Sequence, residues 1–266
     1  MQFLQHGGLT LAYRLDGRVD GPPIIFVNSL GSDYRIWDAV TVHLADDYYC
    51  IRYDKRGHGL SDSPPAPYRI DEHSADLAGL LDALDVPQAV VIGISVGGLI
   101  AMDFTLRHTQ RVSALVLCDT VARLGTAELW QTRIDDLRER GVATMASEIL
   151  PRWFAPGFAE AHPAEYHGYL NMLARMPLEG YIGTCAALRD ADLRESVPGI
   201  TARTLVLCGA QDEATPPDEV QTVADAIPQA RFELIEGAGH LPCIEAPEAF
   251  SQAIAGFLQG DRHEQA

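Results

Sequence analysis

Short apolar runs rich in Val, Ile and Leu, closed by Gly, Asn or Asp, alternate along the chain with longer stretches whose apolar residues recur at helical spacing. The runs are continuous rather than alternating, as strands buried on both faces require. The pattern therefore predicts an α/β fold with a mostly parallel sheet and helices on both faces. The expected strands are Ile24 to Asn28, Cys50 to Tyr53, Ala89 to Ile94, Ala114 to Cys118, Thr204 to Cys208 and Arg231 to Ile235. Each ends near polar residues, and in open α/β sheets ligands bind beyond the carboxyl ends of the strands. The first residues differ: Phe3 to Gly7 and Leu9 to Leu15 alternate around Gly7-Gly8 and read as an antiparallel hairpin at the sheet edge.

Roughly 85 residues separate Cys118 from Thr204 without a convincing strand, against ~2 to 6 residues for an ordinary connection. The spacing predicts an inserted helical cap over 125–198, with 1–124 and 199–266 forming the core. The cap holds Trp130, Trp153, Phe154, Phe158, Tyr166, Tyr169 and Tyr181. Some of these should face a cavity, and a surface between copies of the chain, hence a homo-oligomer, stays open. The tail from Gly260 is polar and reads as frayed.

With 47% hydrophobic and 21% charged residues, the 266-residue chain has enough apolar material for one large core. Twenty Lys and Arg against 37 Asp and Glu give a net charge of −17, a field that repels nucleic acid and anionic membrane surfaces. An anionic substrate would need a local cluster of arginines, and Lys55 is the sole lysine. The five cysteines are odd in number and form no CxxC pair, which fits reduced thiols. No signal-peptide pattern and no apolar run of about 18 residues is present, so a soluble cytoplasmic protein is expected.

The chemistry starts at Gly93-Ile94-Ser95-Val96-Gly97, directly after an apolar strand and before a helix-forming stretch. That order makes Gly-x-Ser-x-Gly a nucleophile elbow with Ser95 at its apex, whereas the same residues elsewhere would be a flexible turn. A serine needs a base, most often a histidine oriented by a carboxylate. His240, in Gly237-Ala238-Gly239-His240 after the last strand, is best placed. His58, in Arg56-Gly57-His58-Gly59, competes, but it precedes Ser95 while the partners of an elbow follow in the order serine, acid, histidine, so it reads as structuring its loop. His6, His43, His73, His108 and His263 read as solvated, and His162 and His167 lack metal-ligand spacing. Asp212, after the next-to-last strand, is the expected acid. Asp119 is an alternative that could instead cap the first turn of the insertion. The oxyanion hole should combine the N–H of Val96 with that of Leu30, in the loop after the strand ending at Asn28.

These pieces, with the Arg56-Gly57-His58-Gly59-Leu60-Ser61 loop, resemble the α/β-hydrolase superfamily over nearly the whole chain. Within it the chain is similar to the 3-oxoadipate enol-lactonases of the β-ketoadipate pathway of aromatic compound degradation. That narrower resemblance rests on Val27-Asn28-Ser29-Leu30-Gly31-Ser32-Asp33 and on two cap segments, Pro151-Arg152-Trp153-Phe154-Ala155-Pro156 and Glu179-Gly180-Tyr181 through Leu193. The chain departs from the family in Leu241-Pro242-Cys243-Ile244-Glu245, where Asn is common. The resemblance implies that a small carboxylated lactone and water are the substrates, that Ser95, Asp212 and His240 act as a triad, and that no metal or organic cofactor is needed. Arg35 and Arg133 are candidate partners for the substrate carboxylate, with Trp130 and Trp153 as walls. A general carboxylesterase, a cofactor-free haloperoxidase-type perhydrolase and a ligand-sensing module share the same motifs.

Overall fold

The computed structural model describes residues 1–260. His263, and the tail beyond Gly260, lie outside the described residues. Eight strands form one sheet: β1 (Gln2–His6), β2 (Leu9–Gly17), β3 (Pro23–Val27), β4 (Tyr49–Tyr53), β5 (Ala89–Ile94), β6 (Val112–Cys118), β7 (Thr204–Gly209) and β8 (Arg231–Ile235). Their order across the sheet is β1-β2-β4-β3-β5-β6-β7-β8. The β1–β2 and β2–β4 pairs are antiparallel and every other pair is parallel. All the expected strands form, with ends displaced by at most a residue or two.

The inner strands are buried on both faces because helices cover both: every residue of β5 and β7 is buried. The helix Val96–Arg107 shows the same logic, since its first ten residues are buried. The chain runs from β3 outward to β4 and returns to place β5 on the other side of β3. This reversal opens a crevice beyond the carboxyl ends of β3 and β5, where such sheets bind ligands.

Between β6 and β7 the chain is helical, with Ala127–Arg140, Val142–Ile149, Pro163–Ala174 and Leu178–Asp190 as its longer helices. This layer is pinned to the core. Gly57 and Gly180 touch backbone to backbone, and a Cβ on Gly180 would stand 2.0 Å from the Gly57 carbonyl oxygen. Tyr68 N–H donates to Gly183 O (3.1 Å) and Leu241 N–H to Trp153 O (3.1 Å). None of the helices among the described residues is long and apolar enough to cross a membrane.

Candidate active site

Ser95 sits in the sharp turn between β5 and the helix Val96–Arg107, with φ 57° and ψ −123°, a backbone conformation that costs a non-glycine residue energy. The turn closes only because its neighbours are small: a Cβ on Gly93 would lie 2.2 Å from Gly97 O, and one on Gly97 would lie 2.1 Å from Val27 O. The strain is held by hydrogen bonds from Ser95 N–H to Cys118 O (2.9 Å) and from Thr120 Oγ1 to Ser95 O (2.7 Å).

His240 and Asp212 come from the loops after β8 and β7 and meet at 2.8 Å between Nδ1 and Asp212 Oδ2. The Asp212 carboxylate also accepts from Ala214 N–H (2.7 Å), Thr215 N–H (3.1 Å) and Thr215 Oγ1 (2.6 Å). Burial works to raise the pKa of Asp212, but the charge of His240 and hydrogen bonds from His240, Thr215 and Asp119 hold it at about 2. An ionised acceptor on Nδ1 fixes the proton there and leaves Nε2 as the basic nitrogen.

Asp119 does not cap the insertion; Thr126 does, accepting from Leu129 N–H. Asp119 is fully buried beside Asp212, and burial together with the Asp212 charge pushes its pKa far above the carboxylate range. Asp119, Cys208 and Asp212 bring ligand-type atoms within 4.8 Å of one another. Both carboxyl groups are engaged, however: Asp212 by His240, and Asp119 by Gly209 N–H (2.8 Å) and Cys118 Sγ (2.7 Å).

Ser95 and His240 line one cavity of about 180 Å³, with Ser29, Leu30, Trp130, Arg133, Trp153 and Thr215 among its walls. Val96 is buried at the start of its helix, where an N–H has no intrahelical partner. Among the further wall residues are Arg152, Tyr181 and Leu129; Tyr181 is one of the cap aromatics of which some are expected to face a cavity, whereas Arg152 and Leu129 are not singled out by the sequence. Arg152 and Tyr181 stand in the very cap segments that carry the narrower resemblance, so a signal was present. Glu245 was also missed: its carboxylate accepts from Ala155 N–H and Gly239 N–H, both at 2.7 Å, and so ties the cap to the loop that carries His240.

Arg35 is not part of this cavity. Its Nε donates to Asp33 Oδ1 (2.9 Å), two residues away, and this pairing holds it in a second cavity of about 660 Å³. Arg133 and Arg152 have no ion pair or hydrogen bond among the described residues.

The histidines separate by burial. His58 is fully buried, with Nε2 accepting from Gly31 N–H (3.1 Å), consistent with a structuring role. His43, His162 and His167 are exposed, and His6 and His108 are half-buried. His73, expected in solvent, is fully buried edge-on to the Tyr68 ring, with neither ring nitrogen hydrogen-bonded among the described residues. The correction has a physical reason: the helix Ile70–Ala83 is covered by the core on one side and by Tyr68 on another, a wider buried face than its sequence pattern indicated.

A family model described as alpha/beta hydrolase fold matches residues 22–247. The chain is 37% identical over 251 residues to 3-oxoadipate enol-lactonase 2 of Acinetobacter baylyi, covering 94% of each. Among solved structures, the enol-lactonase from Burkholderia xenovorans is 35% identical with a TM-score of 0.94, covering 97% of this chain and 100% of that one. A thermophilic esterase from Thermogutta terrifontis, with malate bound, is 31% identical with a TM-score of 0.92, covering 98% and 99%.

Proposed function

The chain belongs to the α/β hydrolase fold family, and from that premise we propose that it opens a small carboxylated enol-lactone, of the 3-oxoadipate enol-lactone type, by serine catalysis. The observation that carries this reading is the charge of the Ser95 cavity. In a chain of net charge −17, its walls contain Arg133 and Arg152 and no Asp or Glu. Most other arginines are paired with nearby acids, as Arg56 is with Glu72 and Asp76. Two uncommitted guanidinium groups beside a nucleophile fit a substrate that carries a carboxylate next to its ester. The relatives named enol-lactonase support the same reading.

In this mechanism Ser95 Oγ attacks the lactone carbonyl while His240 Nε2 takes its proton, and Asp212 stabilises the imidazolium that forms. The Leu30 and Val96 N–H groups receive the oxyanion. The ring C–O bond then breaks, and the enol oxygen departs with a proton from His240 and tautomerises to a ketone. Water, deprotonated by His240, releases the acyl chain from Ser95. An enol is a good leaving group, so the hole and base need supply less than for an ordinary ester. No step calls for a metal or an organic cofactor.

The simple-ester reading has a specific observation behind it, the likeness to the Thermogutta terrifontis esterase. Comparing kcat/KM of the purified protein on 3-oxoadipate enol-lactone and on p-nitrophenyl acetate separates the two. A large preference for the lactone is expected, and a preference for the simple ester would overturn the lactonase reading. Covalent labelling of Ser95 by a fluorophosphonate with multiple turnovers sets both apart from a ligand sensor.

A further inference from the structure

Two neighbouring amides in the loop after β3 have opposite fates. Gly31 N–H is taken by His58 Nε2 at 3.1 Å. Leu30 N–H, beside it and at the cavity wall, has no acceptor among the described residues. The peptide unit that carries Leu30 N–H has the Ser29 carbonyl at its other end, and that carbonyl accepts from Lys55 Nζ at 2.7 Å and from Ser32 Oγ at 3.0 Å.

Lys55 and His58 are both fully buried. Burying an ammonium group is costly, and an apolar side chain of the same length would be cheaper. The one lysine of the chain nevertheless occupies this place, with a single carbonyl to donate to among the described residues. A donor on the carbonyl oxygen polarises the peptide and makes the N–H on its far side a stronger donor. His58 Nδ1 lies 3.2 Å from Arg56 O, which can only accept, so the proton sits on Nδ1 and Nε2 is an acceptor. Burial and the nearby Lys55 charge keep the ring from protonating, so Nε2 keeps that role.

From this geometry we propose that Lys55 and His58 are positioning residues of the oxyanion hole. Lys55 orients and polarises the Ser29–Leu30 peptide so that Leu30 N–H meets the oxyanion, and His58 withdraws the Gly31 N–H so that this loop offers one donor in one direction. The proposal rests on the serine-hydrolase reading above, whatever the ester.

The test uses the full chain, p-nitrophenyl acetate as substrate and phenylboronic acid as a probe whose tetrahedral adduct on Ser95 carries the oxygen the hole would bind. Lys55→Met should lower kcat about 10- to 100-fold, with KM changed by no more than about twofold and phenylboronic acid binding weakened by a factor similar to kcat. His58→Leu should act the same way, and His58→Gln, which restores an acceptor, should recover most of the turnover. Unchanged kcat and unchanged phenylboronic acid affinity in Lys55→Met, with or without a lower melting temperature, overturn the proposal. If Lys55→Met does not fold, the His58 pair decides, and equal turnover by His58→Leu and His58→Gln overturns it. Wild type that a fluorophosphonate does not label at Ser95 would overturn the serine-hydrolase reading itself, an outcome distinct from a labelled wild type with unaffected variants.

Discussion

Two cavities among the described residues invert the usual guide of size. The larger, about 660 Å³, is lined by Asp33, Arg35, Asp54, Glu165 and Arg175. Three acids face two arginines there, Arg35 is paired with Asp33, and Asp54 accepts from Tyr34 N–H (2.8 Å) and Leu60 N–H (2.9 Å). The smaller, about 180 Å³, holds Ser95 and His240 with two arginines that have no ion pair or hydrogen bond among the described residues. Most polar groups of the first are bonded within the chain, Arg175 excepted, while both arginines of the second are left for a ligand. A serine and histidine beside uncommitted donors mark a site better than volume does.

The largest expected effect lies at Ser95, the proposed nucleophile. Ser95→Ala should lower turnover of any ester or lactone by about 10⁴-fold or more. Arg35→Gln and Arg175→Gln, in the larger cavity, should leave it near wild type, as steady-state assays would read. Loss of activity in the latter pair, with Ser95→Ala still active, would reverse the comparison.

Next comes the charge of the smaller cavity. Replacing Arg133 and Arg152 together with Gln should raise KM for the carboxylated lactone by about 10- to 100-fold, from the loss of charge-assisted hydrogen bonds. KM for p-nitrophenyl acetate should hardly move. Equal effects on the two substrates would remove the argument for an anion subsite.

The smallest effect compares the carboxyl that holds His240, behind the smaller cavity, with a carboxyl that lines the larger one. Asp212 is held at about 2 by its partners, whereas burial pushes Asp54 up to about 6 despite the Leu60 and Tyr34 amides. A lowered pKa stabilises the fold above the unfolded value of 3.8 and loses that contribution as pH falls toward 2. For Asp212 this amounts to about 2 kcal/mol. A raised pKa acts oppositely, so Asp54 becomes easier to bury as pH falls through about 6. Urea unfolding between pH ~4 and ~2 should show a steeper loss of stability in wild type than in Asp212→Asn; parallel curves would mean that Asp212 is not held ionised by His240.

The parts legible in the sequence were those with local causes. Strand periodicity, the small residues around Ser95, and the placement of Asp212 and His240 after successive strands follow from residues close in the chain. Where His73 and Arg35 went astray, the deciding contacts were distant or in competition. His73 lies on a helix whose burial depends on Tyr68 and on the core packed against it. Arg35 has an acid two residues away that satisfies it before any cavity can use it.

By itself the amino-acid order determined the α/β class, the strained turn that presents a serine, and the succession of acid and histidine behind it. All of these depend on backbone geometry and spacing within short segments. Only the tertiary structure decided which charges stay free, which carboxyl has its pKa raised by burial beside another, and that Glu245 joins two distant loops. A long side chain on a folded surface has several partners within reach, and the backbone paths that select among them meet only when the chain has folded.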